Sequence, residues 1–380
     1  MDRVRDSWVS RPPTAAEADA YSATVRGCLL GGAIGDALGA PVGPMTREAI
    51  LAVTGQDGVR AFLPVRFGSV QGAGLITGDT QMTLFVTEGI IRARVREDRG
   101  LGLTVGVTHH ALLRWLDTQV HSAPTGRRDG WLIDQRWLYS RRNPGRTCLS
   151  ALPAADAERF GEPAMNDSKG CGSVARSAPF GLLAPAFGAE AAYRFAAESA
   201  GYTHGHRIAR TTSGALAYLV AQLVDGADLP RAVDATIGFL AGQEPDGETL
   251  RALVAARRAA SESDPDAAVA SLGRGWVAEE ALAIAVHCAL RHPEPDRLLD
   301  ALTLAVTHSG NSNATGSICG SILGAAHGAA ALPPPLVYRV EGRGTLLELA
   351  DDLVLEMTAA GSLHGDYGPD TGWTDRYPGW

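Results

Sequence analysis

Two apolar segments near opposite ends of the chain carry glycine at every fourth position. The first stripe consists of Gly27, Gly31, Gly35 and Gly39, and the second of Gly316, Gly320, Gly324 and Gly328. A glycine inside a helix costs about 1 kcal/mol relative to alanine, so two such stripes persist only where the missing Cβ atoms serve packing. We therefore predict two central helices whose backbones closely approach other elements or each other. Chance spacing in a Gly- and Ala-rich sequence is the alternative explanation.

Apolar residues elsewhere follow the 3.6-residue period of amphipathic helices, and no segment shows the clear alternation typical of strands. The segments predicted to be helical are residues 20–39, 80–95, 103–120, 191–202, 212–224, 229–242, 250–263, 278–292, 295–310 and 346–361. The chain has 380 residues, 45% of them hydrophobic, and shows no linker or repeat, which favours one large all-α domain. We place that domain at residues 21–380, after an N-terminal extension over residues 1–20.

The charge and cysteine content restrict the partners and the compartment. A net charge of −8 argues against a nucleic-acid partner, which would require a basic surface. Small-molecule and protein partners remain open, and the sequence indicates no oligomeric state. Five widely spaced cysteines are typical of reduced packing residues rather than of disulfides or a zinc site. Without a signal peptide or an apolar run of about 18 residues, we expect a cytoplasmic protein that does not span a membrane.

Four polar clusters interrupt or precede apolar helices, at residues 35–39, 77–82, 166–172 and 308–315. Such clusters cap helices, or hold an anionic ligand at the unpaired N–H groups of a helix start. Asp36 lies inside an apolar helix, where a carboxylate needs partners, and is either a hydrogen-bonding hub or part of a site. The glycines of the turn at residues 168–172, SKGCG, predict backbone N–H groups that can approach a phosphate.

Seven segments carry a family resemblance. In chain order they are GCLLGGAIGDALGAPVG, LITGDTQMTLFVTEGI, NDSKGCGSVARSAPFGLL, YTHGHRIA, RGWVAEEALAIAVHCAL, THSGNSNATGSICGSILGAAHG and RYPGW. Together they resemble the ADP-ribosylglycohydrolase family, the relatives of the dinitrogen-reductase-activating glycohydrolases, over residues 22–380. The resemblance implies a compact all-α domain and hydrolysis of the bond between ADP-ribose and a protein side chain or small molecule. It also implies two magnesium ions at the centre of the site.

This chain departs from the family at its metal-binding positions. Gly78 replaces one of two adjacent aspartates in the family's Thr-Asp-Asp-Thr, and Asn311 and Asn313 replace the aspartates of its Asp-Ser-Asp-Ser-Thr. Gly43 stands where many members have a glutamate. Magnesium depends on carboxylate ligands, so we expect no metal cofactor. The ligands left for a weakly bound magnesium ion are Thr77, Asp79 and Thr315.

The ligand-binding side of the family pattern is better preserved. The residues that the resemblance predicts to bind substrate are Thr77, Asn166, Ser168, Lys169, Gly170, Cys171, Gly172, His204, Asn311, Ser312, Asn313 and Thr315. Those at 168–172 match the segment that contacts the phosphates and ribose, and His204 matches the histidine of a Thr-His motif. The amides at 311 and 313 suit sugar hydroxyl groups. Asp167, where the family more often has asparagine, is a candidate replacement acid or a capping residue of the loop.

Three functions follow as hypotheses. The first is a metal-independent glycohydrolase that acts on an N- or O-glycoside of ADP-ribose or of a related NAD-derived nucleotide. Glycoside cleavage usually needs two carboxylates, and the candidates are Asp79 with Asp36 or Asp167. The second is a protein that has lost catalysis and senses or sequesters ADP-ribose or a nucleotide. The third is an enzyme with one weakly bound magnesium ion on Asp79.

Overall fold

The computed structural model describes Trp8 and residues 11–126, 128–154, 160–243, 247–364 and 372–379. Helices dominate this part of the chain: α1 (Ala15–Gly39), α2 (Arg47–Thr54), α3 (Gly78–Asp98), α4 (Gly106–Val120), α5 (Arg146–Ala154), α6 (Gly172–Ala175), α7 (Ala178–Gly181), α8 (Ala184–Phe187), α9 (Ala189–Gly201), α10 (Arg207–Val224), α11 (Leu229–Gln243), α12 (Glu248–Ala259), α13 (Pro265–Ser271), α14 (Ala278–Arg291), α15 (Leu298–Val306), α16 (Ser312–His327), α17 (Pro334–Arg339), α18 (Arg343–His364) and α19 (Trp373–Arg376).

The helical assignment made from periodicity is confirmed. Each of the ten predicted segments lies in a helix over most of its length, and the class is all-α. Helix α1 begins at Ala15, where Thr14 and Glu17 form a capping box, inside the segment assigned to the N-terminal extension. The domain boundary at residue 21 remains a prediction. Among the described helices, none combines the length and the apolar character needed to cross a membrane.

One short hairpin was not predicted. Strands β1 (Pro64–Phe67) and β2 (Val70–Ala73) pair antiparallel, with Val65 opposite Gly72. The turn between them contains Gly68 in the left-handed region at φ 57°, and Phe67 packs in a small cluster with Ala40 and Leu75. Strands of four residues are too short to give a clear alternating pattern, which is why the expectation of no strands was wrong here.

The glycine stripes bring α1 and α16 into direct backbone contact. A Cβ atom on Gly27, Gly31 or Gly35 would lie 2.1, 2.2 or 1.9 Å from the carbonyl oxygen of Gly324, Gly320 or Gly316, respectively. The partner numbers fall as the α1 numbers rise, so the two helices run antiparallel. The prediction of two central glycine-lined helices is confirmed, and the partner of each stripe is the other. Gly328 differs from the other stripe residues: it follows α16 as its C-cap, at φ 75°.

This antiparallel contact places the C-terminal end of α1 beside the N-terminal end of α16. At that end, a Cβ on Gly39 would meet the carbonyl oxygen of Ser312 at 2.3 Å. Helix α3 starts at the same place because its first turn is hydrogen-bonded to Asp36 of α1. Three of the four polar clusters predicted from the sequence, at 35–39, 77–82 and 308–315, therefore meet at one end of the helix pair.

Replacing Gly35 with alanine should lower the free energy of unfolding by more than the roughly 1–3 kcal/mol of ordinary overpacking. The added methyl group would require the two backbones to separate, because its nearest neighbour is a carbonyl oxygen. Gly238 in α11 is the matched control, since a Cβ there meets no atom within 4 Å. Gly238→Ala should raise stability by about 0.5–1 kcal/mol through helix propensity. Urea denaturation measures both variants, and equal stability changes would refute the packing explanation.

Candidate functional site

Asp36 lies in α1 with no exposed surface and accepts four hydrogen bonds from the start of α3. Its Oδ1 accepts from the hydroxyl of Thr77 at 2.7 Å, and its Oδ2 accepts from the backbone N–H of Thr77 at 2.8 Å. Thr80 donates to Oδ2 through its hydroxyl at 2.5 Å and its N–H at 3.3 Å. Burial raises the pKa of Asp36, although the bonds from both threonines oppose the shift. Asp36 is thus a hydrogen-bonding hub, one of its two predicted roles, and its part in a reaction remains a prediction.

Asp79, in the first turn of α3, forms a buried carboxylate pair with Asp36. Its residue surface is 8% exposed, and its Oδ2 accepts a hydrogen bond from Nδ2 of Asn313 at 2.8 Å. Burial raises the pKa of Asp79, and the neighbouring negative charge of Asp36 raises it further. The bond from Asn313 and the positive charge of Arg176 act in the opposite direction. A carboxyl group in this environment is poised to carry a proton near neutral pH.

The start of α16 is held by side-chain contacts to its neighbours. Asn311 donates from Nδ2 to the sulfur of Cys171 at 3.0 Å, which joins α16 to the turn at 168–172. The hydroxyl of Thr315 hydrogen-bonds Nε2 of His308 at 2.9 Å and backbone carbonyl oxygens of α15 and α16. Ser312 is fully buried, and its Oγ has no hydrogen-bond partner in the described part of the chain. Asn311 and Asn313 therefore act as donors within the site.

The residues at the family's metal-binding positions do not fit a binuclear magnesium centre. A Cβ on Gly78 would come within 3.0 Å of Cα of Pro144, so an aspartate at 78 would require a backbone segment to move. A Cβ on Gly43 would lie 3.0 Å from Oδ1 of Asn313, so the amide fills that space. Asn313 also presents a donor to Asp79, whereas magnesium needs oxygen ligands. Among the described residues, no group of three or more His, Cys, Asp or Glu side chains could hold a metal ion.

The glycine-rich turn at 168–172 uses several of its N–H groups within the protein. The N–H of Ser168 donates to Oδ1 of Asn166 at 3.1 Å, and the N–H of Gly170 donates to the hydroxyl of Ser168 at 3.4 Å. The N–H of Cys171 donates to the carbonyl oxygen of Trp276 at 3.2 Å. These three donors give no support to the predicted phosphate nest. The turn is instead held rigidly by its hydrogen bond to the segment that precedes α14.

Lys169, predicted to contact phosphate, forms ion pairs with two glutamates. Its Nζ lies 2.5 Å from Oε1 of Glu279 and 2.9 Å from Oε2 of Glu248. These hydrogen bonds raise the pKa of Lys169, so the amine stays charged. An incoming phosphate must compete with two carboxylates for this side chain. The side chain is one-third exposed, at 34%, which leaves it accessible to such a ligand.

His204 lies directly beneath the glycine turn. A Cβ on Gly170 or Gly172 would meet its ring at 3.5 or 3.7 Å, so the absent side chains leave the imidazole close to the turn. Its Nδ1 is 2.8 Å from the hydroxyl of Thr203. Burial and the positive charge of Arg176 lower the pKa of His204 to about 3, so the ring stays neutral. The structure therefore brings His204 and residues 168–172 together, as the sequence interpretation expected.

Asp167 is separate from the buried carboxylate pair. Its side chain is 94% exposed, and its Oδ1 lies 3.8 Å from Nε2 of His206 at the start of α10. In this structure the carboxylate projects into solvent, while Asp36 and Asp79 are buried. The geometry favours the capping or loop role of Asp167 over that of a replacement acid.

Arg176 follows the polar cluster at 166–172 in the sequence, but the sequence interpretation gave it no role in the site. It is 1% exposed and donates to the hydroxyl of Thr203 at 2.7 Å, to the carbonyl oxygen of Gly172 at 3.2 Å and to the sulfur of Cys148 at 3.5 Å. Its charge opposes the shift at Asp79 and contributes to the shift at His204. The available signal was a lone arginine within the otherwise small and apolar segment GSVARSAPFGLL.

Comparisons with known proteins identify the family and the fold. The family model of ADP-ribosylglycohydrolase matches residues 17–362. A solved structure described as an "ADP-ribosylglycohydrolase-related protein complex" is similar in fold, with a TM-score of 0.63 and 21% sequence identity. The similarity covers 89% of this chain and 99% of that one. No curated protein gives a match.

The buried carboxylate pair predicts a pH-dependent stability. Because its folded-state pKa is raised, Asp79 contributes most stability below the ordinary aspartate pKa near 3.9 and loses that contribution as pH rises through its folded value. The stability of Asp79→Asn relative to the native chain should therefore increase as the pH rises from about 5 to about 8. The increase should be up to about 1 kcal/mol per pH unit. Urea denaturation at the two pH values gives the difference. The exposed Asp134→Asn is the matched control. If Asp79→Asn differs from the native chain in stability by the same amount at pH 5 and pH 8, the raised pKa of Asp79 is contradicted.

Proposed function

Because the chain belongs to the ADP-ribosylglycohydrolase family, we propose that it is a hydrolase that cleaves a glycosidic bond of ADP-ribose or of a related NAD-derived nucleotide. The substrate is a small molecule or a modified protein, and the reaction does not use a binuclear magnesium centre. The observation that carries this proposal is the buried pair of Asp36 and Asp79, with Asn313 bound to Asp79 where the family has metal-binding carboxylates.

Asp79 is the proposed catalytic acid. Glycoside cleavage passes through an oxocarbenium-like state, and a protonated carboxyl group lowers the barrier by donating to the departing atom. In the proposed step, the Asp79 proton moves to the leaving nitrogen or oxygen as its bond to the anomeric carbon breaks. Water then adds to the anomeric carbon, and the proton that it loses returns to the Asp79 carboxylate. The raised pKa of Asp79 supports this cycle, because the group must both give and recover a proton near neutral pH.

Asp36 acts through Asp79 and is a positioning residue. Both of its oxygens accept hydrogen bonds from Thr77 or Thr80, so it is committed to the start of α3. Those bonds fix the helical turn that carries Asp79, and the buried charge of Asp36 raises the pKa of its neighbour. Loss of Asp36 would both loosen the turn and lower the pKa of the acid.

The proposed ligand contacts are the amide of Asn313 and the glycine-rich turn at 168–172. Asn313 is partly exposed and lies against Asp79, so its free carbonyl oxygen is available to a ribose hydroxyl near the reacting carbon. The turn at 168–172 has no bulky side chain above His204, which allows a diphosphate to approach closely. Lys169 at the rim supplies positive charge when the ligand displaces a glutamate.

A binding protein without turnover is the second candidate. It is favoured by the internal hydrogen bonds of Asn311 to Cys171 and of Asn313 to Asp79, because these satisfy the polar groups with no reacting partner present. An enzyme with one magnesium ion on Asp79 is a third candidate. In that case the ion would have to displace the donor of Asn313 from the carboxylate.

Titration calorimetry with ADP-ribose should show binding by the native chain and at least tenfold weaker binding by Gly170→Val. The nearest atoms to a Cβ at 170 belong to His204 and Ser168, at 3.5 Å, so the variant should fold with the valine side chain covering the turn. Gly238→Val on an open face of α11 is the control and should bind as the native chain does. Failure of the native chain to bind ADP-ribose or NAD would refute the proposed ligand class.

Release of ADP-ribose from ADP-ribosylated peptides, whose leaving nitrogen or oxygen can accept the proton of Asp79, should continue in excess EDTA. Asp79→Asn should lower the rate by about 10²–10⁴-fold while changing ligand affinity much less, as expected for loss of a general acid. Asp167→Asn separates the two candidate acids, and a rate loss there with none in Asp79→Asn would move the acid to Asp167. Inhibition by EDTA that magnesium reverses would instead establish the single-metal enzyme. Binding without release by the native chain would establish the binding protein.

A further inference from the structure

A second cavity, of about 630 Å³, lies between the C-terminal half of α3 and the N-terminal half of α4. Arg92, which lines it, follows Asp79 by 13 residues on α3, so the two positions are about 20 Å apart along the helix. Pro378 and Gly379 close one side. Pro378 and Gly379 belong to the RYPGW segment of the family resemblance, but none of the predicted substrate-binding or catalytic residues lines this space. It is therefore a different site from the one around Asp79.

The cavity is lined by four arginines and one carboxylate, in a chain whose net charge is −8. The arginines are Arg92, Arg96, Arg114 and Arg128, and the carboxylate is Asp129. Arg92 binds Asp129 through both terminal nitrogens, at 3.0 and 3.1 Å. Arg128 is paired with Asp117 at 2.7 Å. Arg114 is paired with the buried Glu88 at 2.8 Å, so three of the four cations are neutralised by carboxylates.

Arg96 and Arg114 each keep a donor that no described residue accepts from. Arg96 makes one hydrogen bond, from Nη1 to the carbonyl oxygen of Gly379 at 3.3 Å, and its Nε has no partner in the described part of the chain. Arg114 is 2% exposed and binds only Oε2 of Glu88, through Nε at 3.0 Å and Nη2 at 2.8 Å. Its Nη1 has no acceptor among the described residues. Buried guanidinium groups with open donors are costly unless an anion completes their hydrogen bonds.

Flat rings line the same cavity beside the arginines. His110 and Phe160 both face it, with ring centroids 4.0 Å apart. Phe160 is also stacked on His109, which is stacked on Tyr202 in turn. Burial and the charges of Arg114, Arg92 and Arg128 lower the pKa of His110, so this ring is neutral and adds no cation. A planar group can pack against such a surface while its charged end meets the arginines.

We propose that this cavity is a second binding site, for a small organic phosphate that carries a flat ring. The phosphate accepts hydrogen bonds from the guanidinium group of Arg96 and from Nη1 of Arg114, whose other donors are held by Glu88. The ring packs beside His110 and Phe160. The volume lies within the range of small-molecule sites, roughly 300–1,000 Å³.

Titration calorimetry with AMP tests the site, with inorganic phosphate and adenosine as its two fragments. Native protein should bind AMP, and Arg96→Gln should weaken that binding about tenfold or more. The double variant Arg114→Met with Glu88→Gln removes the buried ion pair together and should have the same effect. Arg96 is only half-buried, so its variant keeps the test valid if the double variant does not fold. The exposed Arg66→Gln is the matched control.

Gly170→Val distinguishes this cavity from the site around Asp79. Because AMP is also a fragment of ADP-ribose, the variant should remove at most the AMP that binds near Asp79 and should leave one AMP per chain, whose binding Arg96→Gln weakens. The proposal is overturned if AMP does not bind, or if adenosine binds as tightly as AMP. It is also overturned if Gly170→Val removes AMP binding while the arginine variants retain it.

Discussion

Helices α1 and α16 touch through their backbones, and the position of every other site element depends on that contact. Carbonyl oxygens of one helix occupy the space of the absent side chains of the other, from the level of Gly27 to the level of Gly39. At such a distance the helices cannot slide without a clash, so their relative register is set to within a fraction of a turn. Asp36 on α1 and Asn313 on α16 are thereby brought to the same end of the pair.

The next step from packing to chemistry is the attachment of α3. Asp36 accepts hydrogen bonds from Thr77 and Thr80, which fixes the first turn of α3 and hence the place of Asp79. A fully buried carboxylate would be expensive if it were not hydrogen-bonded, and the four donors supply that compensation. The remaining free-energy cost of burying the charged forms raises the pKa values of both aspartates. Structural anchoring and acid–base capacity are therefore consequences of the same buried pair.

The sequence was sufficient to predict the all-α class and the close approach of two glycine-striped helices, because both follow from local periodicity. It did not identify the partner of each stripe, since an absent Cβ indicates proximity without naming a neighbour. Lys169 shows the same limit: the family resemblance predicted a phosphate contact, but its acceptors Glu248 and Glu279 lie 79 and 110 residues away on other helices. The exposure of Asp167 likewise depends on how its loop packs. Contacts of this kind arise only after the chain has folded.

The residues that stand where the family resemblance implies metal ligands make physical sense as a set. If aspartates stood at both 311 and 313, their charges would lie close to Asp79 and Asp36, and without a cation the repulsion would add to a pair that burial already strains. An asparagine at 313 removes one charge and also donates to Asp79 at 2.8 Å. An asparagine at 311 donates to Cys171, whose thiol is kept protonated by a pKa that burial raises. Each amide thus forms a hydrogen bond inside the protein at a position where the resemblance implies a carboxylate ligand of a metal ion. Neutral hydrogen-bond donors therefore hold this end of the helix pair together, in the place where the resemblance implies a metal ion.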